Sequence, residues 1–187
     1  MNRYRPVPPA DVLSVDLRAF DTVVVDVRAG AALPGGFSQL LDFARLEGRR
    51  LVVFYHKDKE FNREYSGSEG YPFQPFRIGR GRVTQEDAPI QVLLPGHAIL
   101  NEPNRIAPED WDGWVQERGL YFPSDFAENY QALLSLADEG QEVELGSLLY
   151  TRCGGGEYVY CALALYRQLK NLHPGAVRLL ANLITPD

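Results

Sequence analysis

Two nearly continuous apolar runs, DTVVVDV at 21–27 and RLVVFY at 50–55, dominate the hydrophobic pattern of the chain. Such runs predict strands buried on both faces, because a strand with one wet face alternates apolar and polar residues. Between them, residues 37–47 carry apolar side chains at 37, 40, 41, 43, 44 and 46. That is the spacing of an amphipathic helix, and Gly48 is its expected stop. Residues 28–36 read as a loop. Strand, helix and strand at this spacing predict a βαβ unit with a right-handed crossover.

Further along, 90–94 reads as a short strand, and 108–116 as a short helix with Pro108 in its first turn. Residues 146–152 and 158–165 alternate well enough for two strands, and CGGGE between them predicts the tight turn of an antiparallel hairpin. The stretch 174–184 opens on Pro174 and is apolar at 176, 177, 179, 180, 181, 183 and 184, the pattern of a closing helix. Residues 56–82 are polar, aromatic and glycine-rich, too long for an ordinary connection, and so read as a functional loop or an insertion. A Pro-rich arm at 1–16, extended over its first ten residues, precedes a single domain at 17–187. The expected class is α/β with a mixed sheet flanked by helices.

Composition narrows the partners. The chain has 187 residues, 45% of them apolar, enough for the core of one domain. A formal net charge of −6 argues against a nucleic-acid partner, which wants clustered positive charge. Lys occurs only at 57, 59 and 170, so Arg supplies most of the cations, suited to bidentate contacts or surface ion pairs. Cys153 and Cys161 are too few for a disulfide scaffold and read as cross-strand neighbours or as two free, half-buried thiols. The first residues have no apolar signal segment and no run is long enough to cross a bilayer, so a cytoplasmic protein with no membrane partner is expected.

Candidate chemistry is sparse. Cys153 precedes glycines, but a strand follows it, so it lacks the helix N-terminus that activates a thiol. Gly154 to Gly156 lead into a strand too, which makes them a turn rather than a phosphate loop. His97 in LPGHAIL is a general-base candidate or a structural turn residue. His56 follows the second strand, where α/β sheets bind ligands; with Lys57, Asp58, Lys59 and Glu60 it lines a pocket or lies on a solvated loop. His56, His97 and His173 are not at ligand spacing, so no metal site is expected, and no cofactor is implied.

The stretch PNRIAPEDWDGWVQERGLYF at 103–122 holds both tryptophans and places Glu117 and Arg118 in an apolar setting. Buried charges need partners. One reading is an internal ion pair that recruits Arg167 or Arg178. The other is a polar ligand site walled by Trp111, Trp114 and Tyr121, with Arg167 beside it. Glu109, Asp110 and Asp112 read as acids favoured by a helix N-terminus.

Five blocks carry a resemblance: FDTVVVDVRA (20–29), RVTQEDAPIQVLLPGHAIL (82–100), PNRIAPEDWDGWVQERGLYF (103–122), GEYVYCALALYRQL (156–169) and PGAVRLLANLI (174–184). Together they resemble the C-terminal domain attached to some bacterial PIG-L-type (LmbE-like) sugar deacetylases. That domain is similar to class I glutamine amidotransferases, which implies a flavodoxin-like fold. The chain departs from the pattern in two respects. An AHPDD-like zinc motif is absent, so deacetylation is not carried over. The usual first β-α unit is also absent; its loss implies an unpaired strand flank, completed by a second copy, a partner chain or the arm, or a chain that is part of a longer product. The strand ending at Tyr55 runs into HKDKEF, with no nucleophilic Cys. The implied function is a catalytically inert binding or assembly module, its ligand a carbohydrate by analogy. The alternative is a hydrolase with a site around His56, Glu117 and Arg118.

Overall fold

A computed structural model describes residues 4–34, 37–65 and 76–186. Its strands are β1 (Thr22–Val25), β2 (Arg50–Phe54), β3 (Arg77–Ile78), β4 (Arg82–Val83), β5 (Ile90–Val92), β6 (Gly119–Leu120), β7 (Pro123–Asp125), β8 (Gln131–Leu136), β9 (Glu144–Cys153) and β10 (Gly156–Cys161). The helices are α1 (Ser38–Ala44), α2 (Asp58–Tyr65), α3 (Leu165–Lys170) and α4 (Pro174–Leu183). Six strands form one mixed sheet in the order β1-β2-β10-β9-β8-β5. β1, β2 and β10 are mutually parallel, and β9, β8 and β5 add antiparallel neighbours. Two small antiparallel pairs, β3–β7 and β4–β6, stand outside it. The fold is mixed α/β.

All five residues of β2 are buried, as its apolar run requires between two strands and under α1. β1 departs from expectation. No strand pairs its outer side among the described residues, and Val24 is 39% exposed. An apolar run reports the affinity of a strand for cover, not how many neighbours it finds. α1 is shorter than the 37–47 pattern and buries Leu40, Leu41, Phe43 and Ala44.

The hairpin forms with Gly154 at φ +63° in its turn, a conformation that side chains resist. The turn sits under the end of α1: Gly155 N donates to Arg45 O at 3.1 Å, and Gly48 N to Gly155 O at 3.1 Å. A Cβ on Gly156 would lie 2.3 Å from Ala44 O, a backbone atom that cannot swing aside. Gly156→Ala is therefore expected to lower stability by about 1–3 kcal/mol, the usual cost of overpacking, read from the urea midpoint. An unchanged midpoint would show that α1 shifts freely from the hairpin.

Four other expectations are corrected. The second hairpin strand ends at Cys161 rather than 165, and α3 begins at Leu165; YVYCALAL is buried in both states, so its apolarity hides the change. The 108–116 helix is only a 3-10 turn, Pro108–Trp111, because Gly113 (φ +75°) and Gln116 (φ +70°) turn the backbone away. The stretch 56–82 contains α2, β3 and the start of β4, while residues 66–75 lie outside the described part. Residues 9 and 10, expected to be extended, instead open a 3-10 turn, Pro9–Ser14, and the arm buries Val12 and Val15 in the core. No helix of the described residues is long and apolar enough to cross a membrane.

Candidate functional site

The carboxyl ends of β2 and β10 point the same way, and most of the candidate residues gather near that end. His56 follows β2 there and is buried, not solvated. Its Nδ1 lies 2.6 Å from Phe54 O, and its Nε2 lies 2.7 Å from Gly30 N. An amide N–H can only donate and a carbonyl can only accept. The ring is therefore the neutral tautomer with its proton on Nδ1, and both nitrogens are occupied. Phe37 and Phe61 flank it, with ring centroids at 5.7 and 6.1 Å. Burial pushes its pKa down to about 4, against weaker opposing contributions from the Phe54 carbonyl, Glu60 and Asp26. The imidazole clips the 28–31 turn to β2.

Glu117 is buried between two arginines. Its Oε2 accepts from Arg82 Nη2 at 2.6 Å and its Oε1 from Arg167 Nε at 2.9 Å; Arg167 also bonds Gln116 Oε1. Arg118 does not pair with its neighbour. It donates from Nε to Ala88 O at 3.0 Å and from Nη1 to Trp111 O, with its guanidinium 5.6 Å from the Trp114 ring centroid. Burial holds its pKa below the ordinary Arg value. Arg178 goes elsewhere, to Asp110, whose Oδ2 also accepts from Ala107 N at 2.9 Å and caps the 3-10 turn. His56, Glu117 and Arg118 thus engage three separate sets of partners and do not converge.

The aromatic wall does not assemble either. Trp111 and Trp114 pack on each other at 5.6 Å, both buried, and Trp114 Nε1 donates inward to Asp110 O at 3.1 Å. Tyr121 lies apart from them, at φ +57°, its ring 6.0 Å from Tyr55. Tyr55 hydrogen-bonds Tyr166, and burial raises its pKa. Arg167 and Lys170 sit over the Tyr166 ring at 5.0 and 5.5 Å. A tyrosine group backed by the Glu117 ion pairs therefore occupies this end of the sheet. Sequence reading missed it because Tyr55, Tyr121 and Tyr166 meet only through the fold.

Cys153 lies opposite Gly156 and Cys161 opposite Leu148, so the thiols are not cross-strand neighbours. Both are free and fully rather than half buried, and burial pushes each pKa up to about 12. Cys153 Sγ donates to Ala44 O at 2.9 Å. His97 Nδ1 accepts from Ile99 N at 3.2 Å and caps a short turn, and His173 caps α4. Among the described residues no group of three or more His, Cys, Asp or Glu side chains could hold a metal ion.

A cleft that sequence reading also missed lies at the carboxyl half of β9. It has a volume of about 500 Å³ and is lined by His97, Asn129, Gln131, Tyr150, Thr151 and Arg152. Tyr150 and Arg152 share one face of β9 at i, i+2, and Tyr150 lies opposite Gln131 on β8. That alternation was the available signal, but β8 itself was not foreseen.

No family model matches the chain, and no curated protein matches it. Among solved structures the chain is similar to the cold-adapted beta-galactosidase from Rahnella sp. R3, at 15% identity and a TM-score of 0.47, over 90% of this chain and 24% of that one.

Proposed function

We propose that the chain is a catalytically inert α/β module of the amidotransferase-like kind, which works by binding or assembly rather than by chemistry. One observation carries this reading: the thiols and the imidazole best placed for catalysis are committed to structure. Cys153 and Cys161 are buried with pKa values near 12, so almost no thiolate exists at neutral pH. Both ring nitrogens of His56 hold backbone groups. The parallel trio β1-β2-β10 with α1 between its first two strands supports the flavodoxin-like part of the reading. That no strand among the described residues pairs the outer side of β1 supports a second copy or partner strand there. Carbohydrate is the ligand class by analogy with the deacetylase-associated domain.

The test is a turnover assay with glutamine and simple esters on the wild type and on Cys153→Ala. No turnover above the uncatalysed rate is expected from either. Hydrolysis by the wild type that Cys153→Ala abolishes would overturn the reading. Sedimentation over a concentration series tests assembly: association is expected, and a strict monomer throughout would remove the partner-strand part.

A further inference from the structure

Resting on the binding-module reading, we propose that the cleft lined by Gln131, Tyr150 and Arg152 binds a hydroxyl-rich ligand, a mono- or oligosaccharide. Its volume of about 500 Å³ suits a small ligand. The lining chemistry selects the class. None of the six lining residues is aliphatic, which disfavours a lipid, and none is a carboxylate, which disfavours a cation. Arg152 is the one permanent cation among them, too few for a polyphosphate. The amides of Asn129 and Gln131 each offer both donors and acceptors. A sugar hydroxyl likewise donates and accepts from one oxygen, so this mixture matches it. The partly exposed ring of His97, edge to face on the buried Tyr150 ring with centroids 4.4 Å apart, offers apolar surface for the C–H groups of a pyranose.

The site is held in place before a ligand arrives. Tyr150 Oη donates to Glu157 Oε1 at 2.8 Å, and Glu157 Oε2 accepts from Arg50 Nε at 2.6 Å. Thr151 Oγ1 donates to Asn129 O at 2.8 Å, tying the β8 approach to β9. Side chains fixed by such bonds lose less freedom on binding. The Tyr150 hydroxyl is thereby committed, and its hydrogen bond with Arg152 places that guanidinium beside the exposed Gln131 to read the ligand.

The experiment is a titration of the isotope-labelled full chain with N-acetylglucosamine, galactose, glucuronate and, separately, inorganic phosphate, read by backbone amide shifts. At least one sugar is expected to move the amides of Gln131, Tyr150 and Arg152 saturably. Arg152→Ala is expected to weaken that binding about tenfold or more, as loss of a charge-assisted hydrogen bond does. Gln131→Ala should weaken it less, and both exposed-site variants should keep the wild-type circular dichroism. Sugar-induced shifts confined to the Tyr55–Tyr166 end would overturn the cleft while leaving the module reading intact. Failure of every sugar to shift the cleft amides would overturn it, as would phosphate binding more tightly than any sugar. Catalytic turnover lost in Cys153→Ala would instead remove the reading on which the proposal rests.

Discussion

Arg50→Met is expected to cost the fold about 3–5 kcal/mol in a urea titration, the range for breaking a buried pair from one side. The Arg50 side chain is 1% exposed and that of Glu157 5%, so removing the guanidinium strands a carboxylate away from water. The loss is compounded at α4. Arg50 Nη1 donates to Asn182 O at 2.9 Å and also to Leu183 O and Thr185 O, satisfying carbonyls that a helix end leaves without partners. Glu157→Gln is expected to cost less, about 1–3 kcal/mol, because Oε1 can still accept from Tyr150 and the α4 carbonyls keep their donor. The double variant should lose less than the two losses added, since no unpaired carboxylate then remains. Additive losses, or an Arg50→Met variant near wild-type stability, would show that the pair is not what joins the sheet to α4.

What the sequence makes legible follows from which forces act locally. β2, the hairpin turn and α4 are readable because period, glycine or proline signal and burial agree at each. β8 is not: QALLSL is short and only partly alternating, and its place depends on β9 and β5 lying on either side. The apolar run of β1 cannot reveal that no strand among the described residues pairs its outer side. Charge in an apolar setting says that Glu117 needs a cation and puts Arg167 among the candidates. It cannot say that Arg82 arrives from β4 to take the other oxygen. The tryptophans read as a ligand wall only while their polar needs are unknown. Once Trp114 finds Asp110 O and Arg118 lies near its ring, both rings belong to the interior. The cleft is the hardest to foresee, since its lining comes from the 97 turn, the β8 approach and β9.

Acidification from pH 6.5 toward pH 4 is expected to destabilise the protein by about 3 kcal/mol through His56, since each pKa unit is worth about 1.4 kcal/mol. In the unfolded chain the imidazole protonates near its ordinary pKa of 6.5, whereas in the fold it resists protonation until about 4. Between those values the unfolded state binds more protons, so stability rises with pH. The contribution is complete above 6.5 and is lost as pH falls toward 4. The geometry gives the reason: protonating Nε2 would set a second N–H against the Gly30 amide, inside a shell of Phe37 and Phe61. Glu144, whose pKa is raised by burial, acts in the opposite direction just above its ordinary 4.5 and trims the low end of the slope. Asp58 and Asp138, held below the usual carboxylate range, add their losses only below about pH 4. The measurement is the urea midpoint across this window for the wild type and for His56→Gln. The variant is expected to be less stable at neutral pH, because it loses the Gly30 clip, and to show a much flatter pH dependence. An equally steep fall in His56→Gln would assign the acid sensitivity to other groups and leave His56 no part in it.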